Sequence, residues 1–364
     1  MLRLLLLLTV LLGVGCRTRP FLMRGGMNVD GDMRMNGKMD VAGDMKMSGN
    51  MNTSMKTDNT ASRLASVVIH SGKSAPNPSL GKVAIIDVDG ILINKNISGL
   101  GSMGENPVAL FREKLDALRA DSSVKAVVLR INSPGGGVTA TDIMSRDLVR
   151  FREETQLPVV ACLMDVGAGG AYFLAAHADT VLAHPTSIVG GIGVILNVYN
   201  LEDTLGQFNI ASAPIKAGEQ IDIASTERAM EKEERASLQS IADAFHSRFI
   251  EHIKSARPSS ANHQENFEGG IFTGTAAREK GLIDDVGYLD DAIAIARTRS
   301  NLSESSQVVM LRRDNDRAYS QFDVTPNSPY SLLPIKMPGL DRSTLPTFLY
   351  LWQADPSYLT AAGG

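Results

Sequence analysis

The sequence is poor in the residues on which several classes of protein depend. Only two of its 364 residues are cysteine, Cys16 and Cys162, so no disulfide framework is expected. Cys162 stands inside an apolar run, which predicts a buried free thiol. The net charge of −4 provides no general surface for a polyanion, and nucleic acid is therefore not an expected partner. Hydrophobic residues still make up 43% of the chain, enough to form a core.

The N-terminal residues are typical of an export signal. Arg3 precedes the apolar stretch Leu4 to Leu12, and Gly13-Val14-Gly15-Cys16 follows it. The stretch is too short for a comfortable membrane span. Three interpretations stay open: a lipoprotein signal that leaves Cys16 as the lipidated N-terminus, a cleaved secretory signal over residues 1–16, and an uncleaved anchor. All three predict the cell envelope, with the chain on the periplasmic face of the membrane or secreted.

Residues 17–80 have a different composition from the rest. Methionines recur there among Gly, Asn, Asp, Ser and Lys, and the twelve-residue pattern that starts at Asp32 returns at Asp44. Such a segment has too few large apolar groups to offset its ordering entropy, so we expect a flexible linker. The alternative is that its spaced thioethers bind a soft ion such as Cu(I).

From residue 82 the pattern is that of an α/β protein. Buried strands are predicted over Val83–Val88, Val124–Ile131 and Val159–Met164, and helices over Pro107–Ala120 and about Thr139–Glu154. This alternation indicates parallel strands. Further helices are predicted over Thr226–Lys254 and Tyr288–Arg299, which places the domain at residues 82–299. Residues 300–364 form an extension that packs on the domain or mediates assembly.

Two glycine turns follow predicted strands. In Ser133-Pro134-Gly135-Gly136-Gly137 the glycines permit positive φ and let backbone N–H groups face a ligand oxygen, as in an oxyanion hole. Gly167-Ala168-Gly169-Gly170 lies where a strand runs into a helix, a geometry that exposes one side chain beside helix N–H groups. In hydrolases the exposed residue would be the nucleophile, and here it is Ala168.

The blocks together resemble the signal peptide peptidase A family, in order and spacing from Lys82 to Arg299. The residues that carry the resemblance are Arg130–Gly137, Asp165–Tyr172, Ala178-Asp179, His184–Val194 and Phe272–Gly287. The resemblance implies a ClpP/crotonase-like fold of repeated β-β-α units with parallel sheets. It also implies a serine–lysine dyad that cuts signal peptides and other membrane-associated peptides, and assembly into rings, with no metal or cofactor.

The resemblance further implies that the dyad is missing from this chain. Ala168 occupies the position of the nucleophilic serine, and Ile221 that of the general-base lysine, with Lys216 at the family's first, non-catalytic lysine. Gly191 replaces a serine that is frequent in the family. The oxyanion-hole glycines carry over to Gly135, Gly136 and Gly169.

Three functional hypotheses follow. The first is a non-catalytic member that binds peptides or signal-peptide remnants, or joins active homologues in mixed rings. The second is a working peptidase with a relocated nucleophile, for which Ser133 is the candidate. The third, stabilisation of an acyl-thioester enolate, is disfavoured because nothing in the sequence suggests a coenzyme A site. No metal-ligand spacing such as His-x-x-x-His occurs.

Overall fold

A computed structural model describes residues 63–70, 81–96, 105–313, 320–322 and 348–352 of the protein. The predicted signal segment, Cys16 and the methionine-rich repeat lie outside the described residues. Among the described residues, ten strands form one sheet with the main order β1-β9-β2-β3-β4-β5-β8. The strands are β1 Ala65–His70, β2 Lys82–Leu92, β3 Val124–Gly137, β4 Val159–Ala168, β5 Thr180–Ala183, β6 Ile188–Gly190, β7 Ile271–Thr273, β8 Asp285–Val286, β9 Gln307–Arg312 and β10 Leu349–Leu351.

Helices alternate with the central strands. They are α1 Pro107–Ala120, α2 Val138–Thr155, α3 Gly170–Ala175, α4 Glu202–Gln207, α5 Lys232–Ala256, α6 Gly274–Glu279 and α7 Leu289–Arg299, with two 3₁₀ turns at Pro258–Asn262 and Gln264–Phe267. Helix α1 has the predicted bounds. The Asn106 side chain accepts the N–H groups of Val108 and Ala109, and Pro107 occupies the first turn, where its missing N–H costs nothing.

Strands β3 and β4 are long and change partners along their length. The first half of β4 pairs with β5 as far as Leu163, and its end, Val166–Ala168, pairs in parallel with β6 instead. The end of β3, Gly135–Gly137, pairs antiparallel with β10. Each long strand therefore serves two sets of neighbours before its helix begins. This confirms the predicted α/β class with mostly parallel strands.

The sheet is wider than the predicted domain of residues 82–299. Strand β9 lies in the predicted extension and pairs in parallel with β2, and β1, from the end of the predicted linker, pairs antiparallel with β9. Both strands lie beyond the boundaries predicted from the sequence, where polar residues surround their short apolar runs. Val308, Val309 and Met310 of β9 are almost completely buried, so the sheet needs them to cover its edge.

Other predicted bounds also moved, among them the ends of β2, β3 and β4 and the start of α5. Strand β4 continues through the second glycine turn to Ala168 because its end pairs with β6. Helix α5 begins at Lys232, not at Thr226, since Glu231 and Glu234 form a capping box there.

Two apolar clusters cover the faces of the sheet. The larger one contains residues of α1, α2 and α3 and one side of the central strands, and the smaller one packs α7 against the other side. Cys162 is a free and fully buried thiol, as predicted. None of the helices in the described parts of the chain combines the length and the apolar character that a bilayer crossing demands.

Candidate peptide-binding site

The two glycine turns lie side by side at the carboxyl ends of β3 and β4. Ser133 of β3 pairs with Gly167 of β4, which brings the turns into contact. Gly135 has a φ of +105°, and a Cβ built on it would lie 2.5 Å from the nitrogen of Gly170. Only glycine permits both this backbone conformation and this close approach.

Two polar side chains hold the turns in place. The Ser133 hydroxyl oxygen accepts the N–H of Gly135 at 3.1 Å, and the Asn132 side-chain oxygen accepts the N–H of Val166 at 3.1 Å. Ser133 is completely buried. Its observed role is thus that of a turn-stabilising acceptor.

Ala168 lies at the junction between the turns. It is fully buried at the end of β4, where it pairs with Gly190. Gly191, next along the chain, has a φ of +64°, and a Cβ there would lie 3.5 Å from the Cβ of Ala168 and 3.2 Å from that of Trp352. The structure therefore brings Ala168 and Gly191 together, with a methyl group where the family resemblance expects a serine hydroxyl.

A strand from the C-terminal extension fills the space between the turns. Tyr350 of β10 pairs with Gly136, and a Cβ built on either Gly135 or Gly169 would collide with the carbonyl oxygen of Tyr350. The carbonyl of Tyr350 thus lies against two of the three glycines assigned to the oxyanion hole, and Tyr350 is the strand partner of the third.

Gly169 contributes differently from what the sequence suggested. Its φ is +54°, and its N–H donates to the carbonyl of Gly190 at 2.9 Å. The donor assigned to the oxyanion hole is therefore already used within the fold. What Gly169 provides is space, since a side chain there would also come within 2.9 Å of the carbonyl oxygen of Pro134.

Backbone hydrogen bonds hold β10 from both sides. On the β3 side, Val138 N–H donates to the carbonyl of Phe348 at 3.2 Å, and Trp352 N–H donates to that of Pro134 at 3.0 Å. On the other side, Ile195 and Leu349 exchange two N–H···O bonds of 3.0 and 2.9 Å. The two walls form a groove, which we call the β10 groove, lined by residues 134–138 on one side and by Ile195 on the other. It holds one extended peptide strand.

Ile221 lies in different surroundings. Its side chain is 73% exposed, in contrast to the fully buried Ala168. Nearby, Lys216 donates to the carboxylate of Asp222 at 2.7 Å, and Arg228 donates to the same carboxylate at 3.0 Å. Hydrogen bonds from Arg228 and Lys216 hold the pKa of Asp222 well below its usual range. The structure does not bring Ile221 into the buried environment of Ala168.

Strand β10 was not predicted from the sequence. It lies in residues 300–364, which were expected to form an extension that packs on the domain or mediates assembly. The available signal was the alternation of aromatic and leucine residues in Phe348-Leu349-Tyr350-Leu351-Trp352, which has the period of a strand.

Comparison with known proteins finds that this chain is similar in sequence to peptidases. Residues 152–303 match the model of the family described as Peptidase family S49. The chain is 28% identical over 230 residues to Protease 4 of Salmonella typhi, covering 63% of this chain and 36% of that one. It is 30% identical over 201 residues to "Serine protease SPPA, chloroplastic" of Arabidopsis thaliana, covering 55% and 29%.

The matches cover only part of each relative. A further relative, from Enterococcus faecium, is 26% identical over 228 residues, and the match covers 62% of this chain and 66% of that one. The chain thus spans less than two thirds of these relatives. Among solved structures, a serine-to-alanine mutant of the 1510-N membrane-bound stomatin-specific protease matches with a TM-score of 0.36 and 15% identity, over 58% of this chain and 82% of that one.

Proposed function

Because the chain belongs to the SppA-like peptidases of family S49, we propose that it is a peptide-binding protein of the cell envelope whose cleavage activity is lost or greatly reduced. One observation carries this proposal. The β10 groove holds an extended peptide strand with a carbonyl oxygen against Gly135 and Gly169, next to Ala168. The groove therefore has the shape and the backbone hydrogen-bonding groups to bind a peptide.

The residue types at the dyad positions support the loss of cleavage. Amide hydrolysis by a serine–lysine pair needs a hydroxyl that attacks and a neutral amine that takes its proton. Ala168 offers a methyl group, and Ile221 a branched alkyl group that faces solvent. Neither side chain performs either task.

The alternative, a peptidase with Ser133 as a relocated nucleophile, has less support. The Ser133 hydroxyl is fully buried and already accepts the Gly135 N–H. A nucleophile also needs a base within hydrogen-bonding reach. The Ser133 hydroxyl instead meets the N–H of Gly135, a backbone donor that cannot take its proton.

The test combines labelling and cleavage on the full chain. A fluorophosphonate probe and a quenched signal-peptide substrate are applied to the wild type, to Ser133→Ala, and to the double variant Ala168→Ser/Ile221→Lys. We expect no labelling or cleavage by the wild type. We also expect no gain in cleavage by the double variant over Ala168→Ser alone, its matched control, because Ile221 is exposed and does not share the buried surroundings of Ala168. Wild-type labelling that disappears in Ser133→Ala would establish the relocated nucleophile instead.

Assembly into rings with itself or with dyad-bearing homologues forms part of the proposal. The segment from Tyr199 to Ile221 exposes several large apolar side chains, with Phe208, Ile215 and Ile221 each more than two thirds exposed. Apolar side chains grouped in this way are typical of surfaces that another chain covers. Native mass spectrometry with and without a dyad-bearing homologue tests this. Monomers alone at micromolar concentration would contradict it.

Anchoring to the envelope through Cys16 also belongs to the proposal. Its support is the sequence, where an apolar stretch and small residues precede Cys16. Mass spectrometry of the mature N-terminus should find a lipid-modified cysteine. An unmodified N-terminus further along the chain would favour secretion.

A further inference from the structure

Both walls of the β10 groove form hydrogen bonds with the backbone of β10, and a pocket beneath the groove holds one of the side chains of that strand. The hydrogen bonds between β10 and residues 134, 138 and 195 involve main-chain groups only, which any extended sequence offers. Discrimination among peptides therefore depends on pockets that take alternate side chains. In β10, Tyr350 is fully buried, while Leu349 and Leu351 are only partly buried.

The Tyr350 pocket is built from aromatic side chains of α3 and α5. The Tyr350 ring lies 4.6 Å from the ring centre of Phe249 and 5.4 Å from that of Phe173. These distances fall in the range at which aromatic pairs attract each other beyond simple burial. The pocket thus fits a flat ring.

The pocket also contains a polar acceptor at its far end. The Tyr350 hydroxyl donates a 2.7 Å hydrogen bond to the carbonyl of Phe245 in α5. Burial raises the pKa of Tyr350 to about 12, so the hydroxyl remains a donor at neutral pH. A phenylalanine would fill the ring space and leave this acceptor without that donor.

The residues two positions before and after Tyr350 are also aromatic and lie on the same side of the strand. Phe348 lies on the same side of β10 as Tyr350, and its ring contacts that of Phe245 at 5.4 Å between centres. Trp352, the next residue on that side, approaches Gly191, where a Cβ would be 3.2 Å from its own. Any side chain at position 191 would therefore crowd Trp352.

We propose that the pocket formed by Phe173, Phe245 and Phe249 is a tyrosine-selective subsite. The ligands of the β10 groove are then extended peptide segments that carry a tyrosine, flanked two residues away by aromatic or apolar side chains. Residues 348–352 are its resident occupant, and an external segment binds by displacing them. This inference rests on the proposed peptide-binding function and adds the side chain that the groove selects.

The size of the selectivity follows from the contacts. Loss of one buried hydrogen bond to a neutral acceptor weakens binding about 3- to 10-fold, which is the expected difference between tyrosine and phenylalanine peptides. Loss of the whole ring weakens binding by about 100-fold or more. A purely apolar pocket would favour phenylalanine or treat both rings alike.

The experiment measures peptide binding to the full chain with its own tyrosine removed. Tyr350→Ala empties the pocket, and a fluorescein-labelled peptide with the sequence of residues 346–353 is added in trans and followed by anisotropy. Two matched peptides replace the tyrosine with phenylalanine or alanine. We expect the tyrosine peptide to bind 3- to 10-fold more tightly than the phenylalanine peptide and about 100-fold more tightly than the alanine peptide.

The outcomes separate the two proposals. If none of the peptides binds, the groove itself does not accept external peptides and the proposed function fails. If all three bind equally, or the phenylalanine peptide binds best, the groove stands and the tyrosine subsite is refuted. Should Tyr350→Ala not fold, the series is run on Leu349→Pro, which removes the N–H that bonds to Ile195 and leaves the pocket residues unchanged.

Discussion

Replacing Gly135 with alanine should release β10 from its groove. At a φ of +105° an alanine side chain is strained, which costs about 1–3 kcal/mol. The new Cβ would also collide with the Tyr350 carbonyl oxygen and lie 2.5 Å from the Gly170 nitrogen. Both obstacles are backbone atoms, so relief requires that β10 or the turn move.

The net free energy that holds β10 in its groove is small, because its favourable and unfavourable contributions are of similar size. Burying one aromatic side chain removes about 150–250 Å² from water, worth about 4–6 kcal/mol at 25 cal/mol per Å². Ordering five residues costs about 5–10 kcal/mol in backbone entropy, which the hydrogen bonds to both walls offset in part. A clash of a few kcal/mol is therefore enough to detach β10.

Gly137→Ala is the matched control. At this position φ is −60°, and a Cβ would meet only Ala140 Cβ at 3.8 Å and the Leu92 carbonyl oxygen at 3.9 Å, which are ordinary contacts. Its free energy of unfolding should stay within about 1 kcal/mol of the wild type. Both glycines pair with β10, so only the steric consequence differs.

Hydrogen exchange and urea unfolding measure the result. In Gly135→Ala the Leu349 amide, which donates to Ile195 in the wild type, should exchange at least about 10-fold faster. The free energy of unfolding should fall by about 1–3 kcal/mol. Unchanged protection of Leu349 in this variant would refute the close approach of Gly135 and β10.

Three further predictions concern groups outside the groove. Burial lowers the pKa of His252 to about 4, so between about pH 6.5 and 4 only the unfolded chain takes up a proton at this residue. The free energy of unfolding, measured by urea titration at each pH, should therefore fall by up to about 3 kcal/mol as the pH drops through that window. It should fall less steeply in His252→Gln. Burial raises the pKa of the Cys162 thiol to about 12. In a Cys16→Ser variant, where Cys162 is the remaining thiol, a disulfide reagent should react only as fast as the protein unfolds, and fast labelling of the native protein would contradict this. The Tyr172 hydroxyl donates a hydrogen bond of 2.6 Å to the Leu282 carbonyl. Tyr172→Phe should therefore lower the free energy of unfolding, measured by urea titration, by about 1–3 kcal/mol. An unchanged value would show that water replaces the donor.

The sequence alone was sufficient for much of the scaffold. Apolar runs marked β2, β3 and β4, and Pro107 marked the first turn of α1, because these signals act over a few neighbouring residues. Glycines in successive blocks marked the two turns, and their order along the chain indicated the family. Local chemistry also identified Ala168 as the residue at the turn that meets the helix.

Pairing between distant segments was decided only by the tertiary structure. Strands β1 and β9 lie in regions whose composition predicted a linker and an extension, and they become strands because the edge of β2 offers them a partner. The same holds for β10, whose hydrogen bonds to residues 134–138 and to Ile195 involve main-chain groups that carry no sequence signal. Burial of Tyr350 between α3 and α5 likewise depends on helices that only the folded chain brings together, which is why its pocket could not be derived from the order of residues.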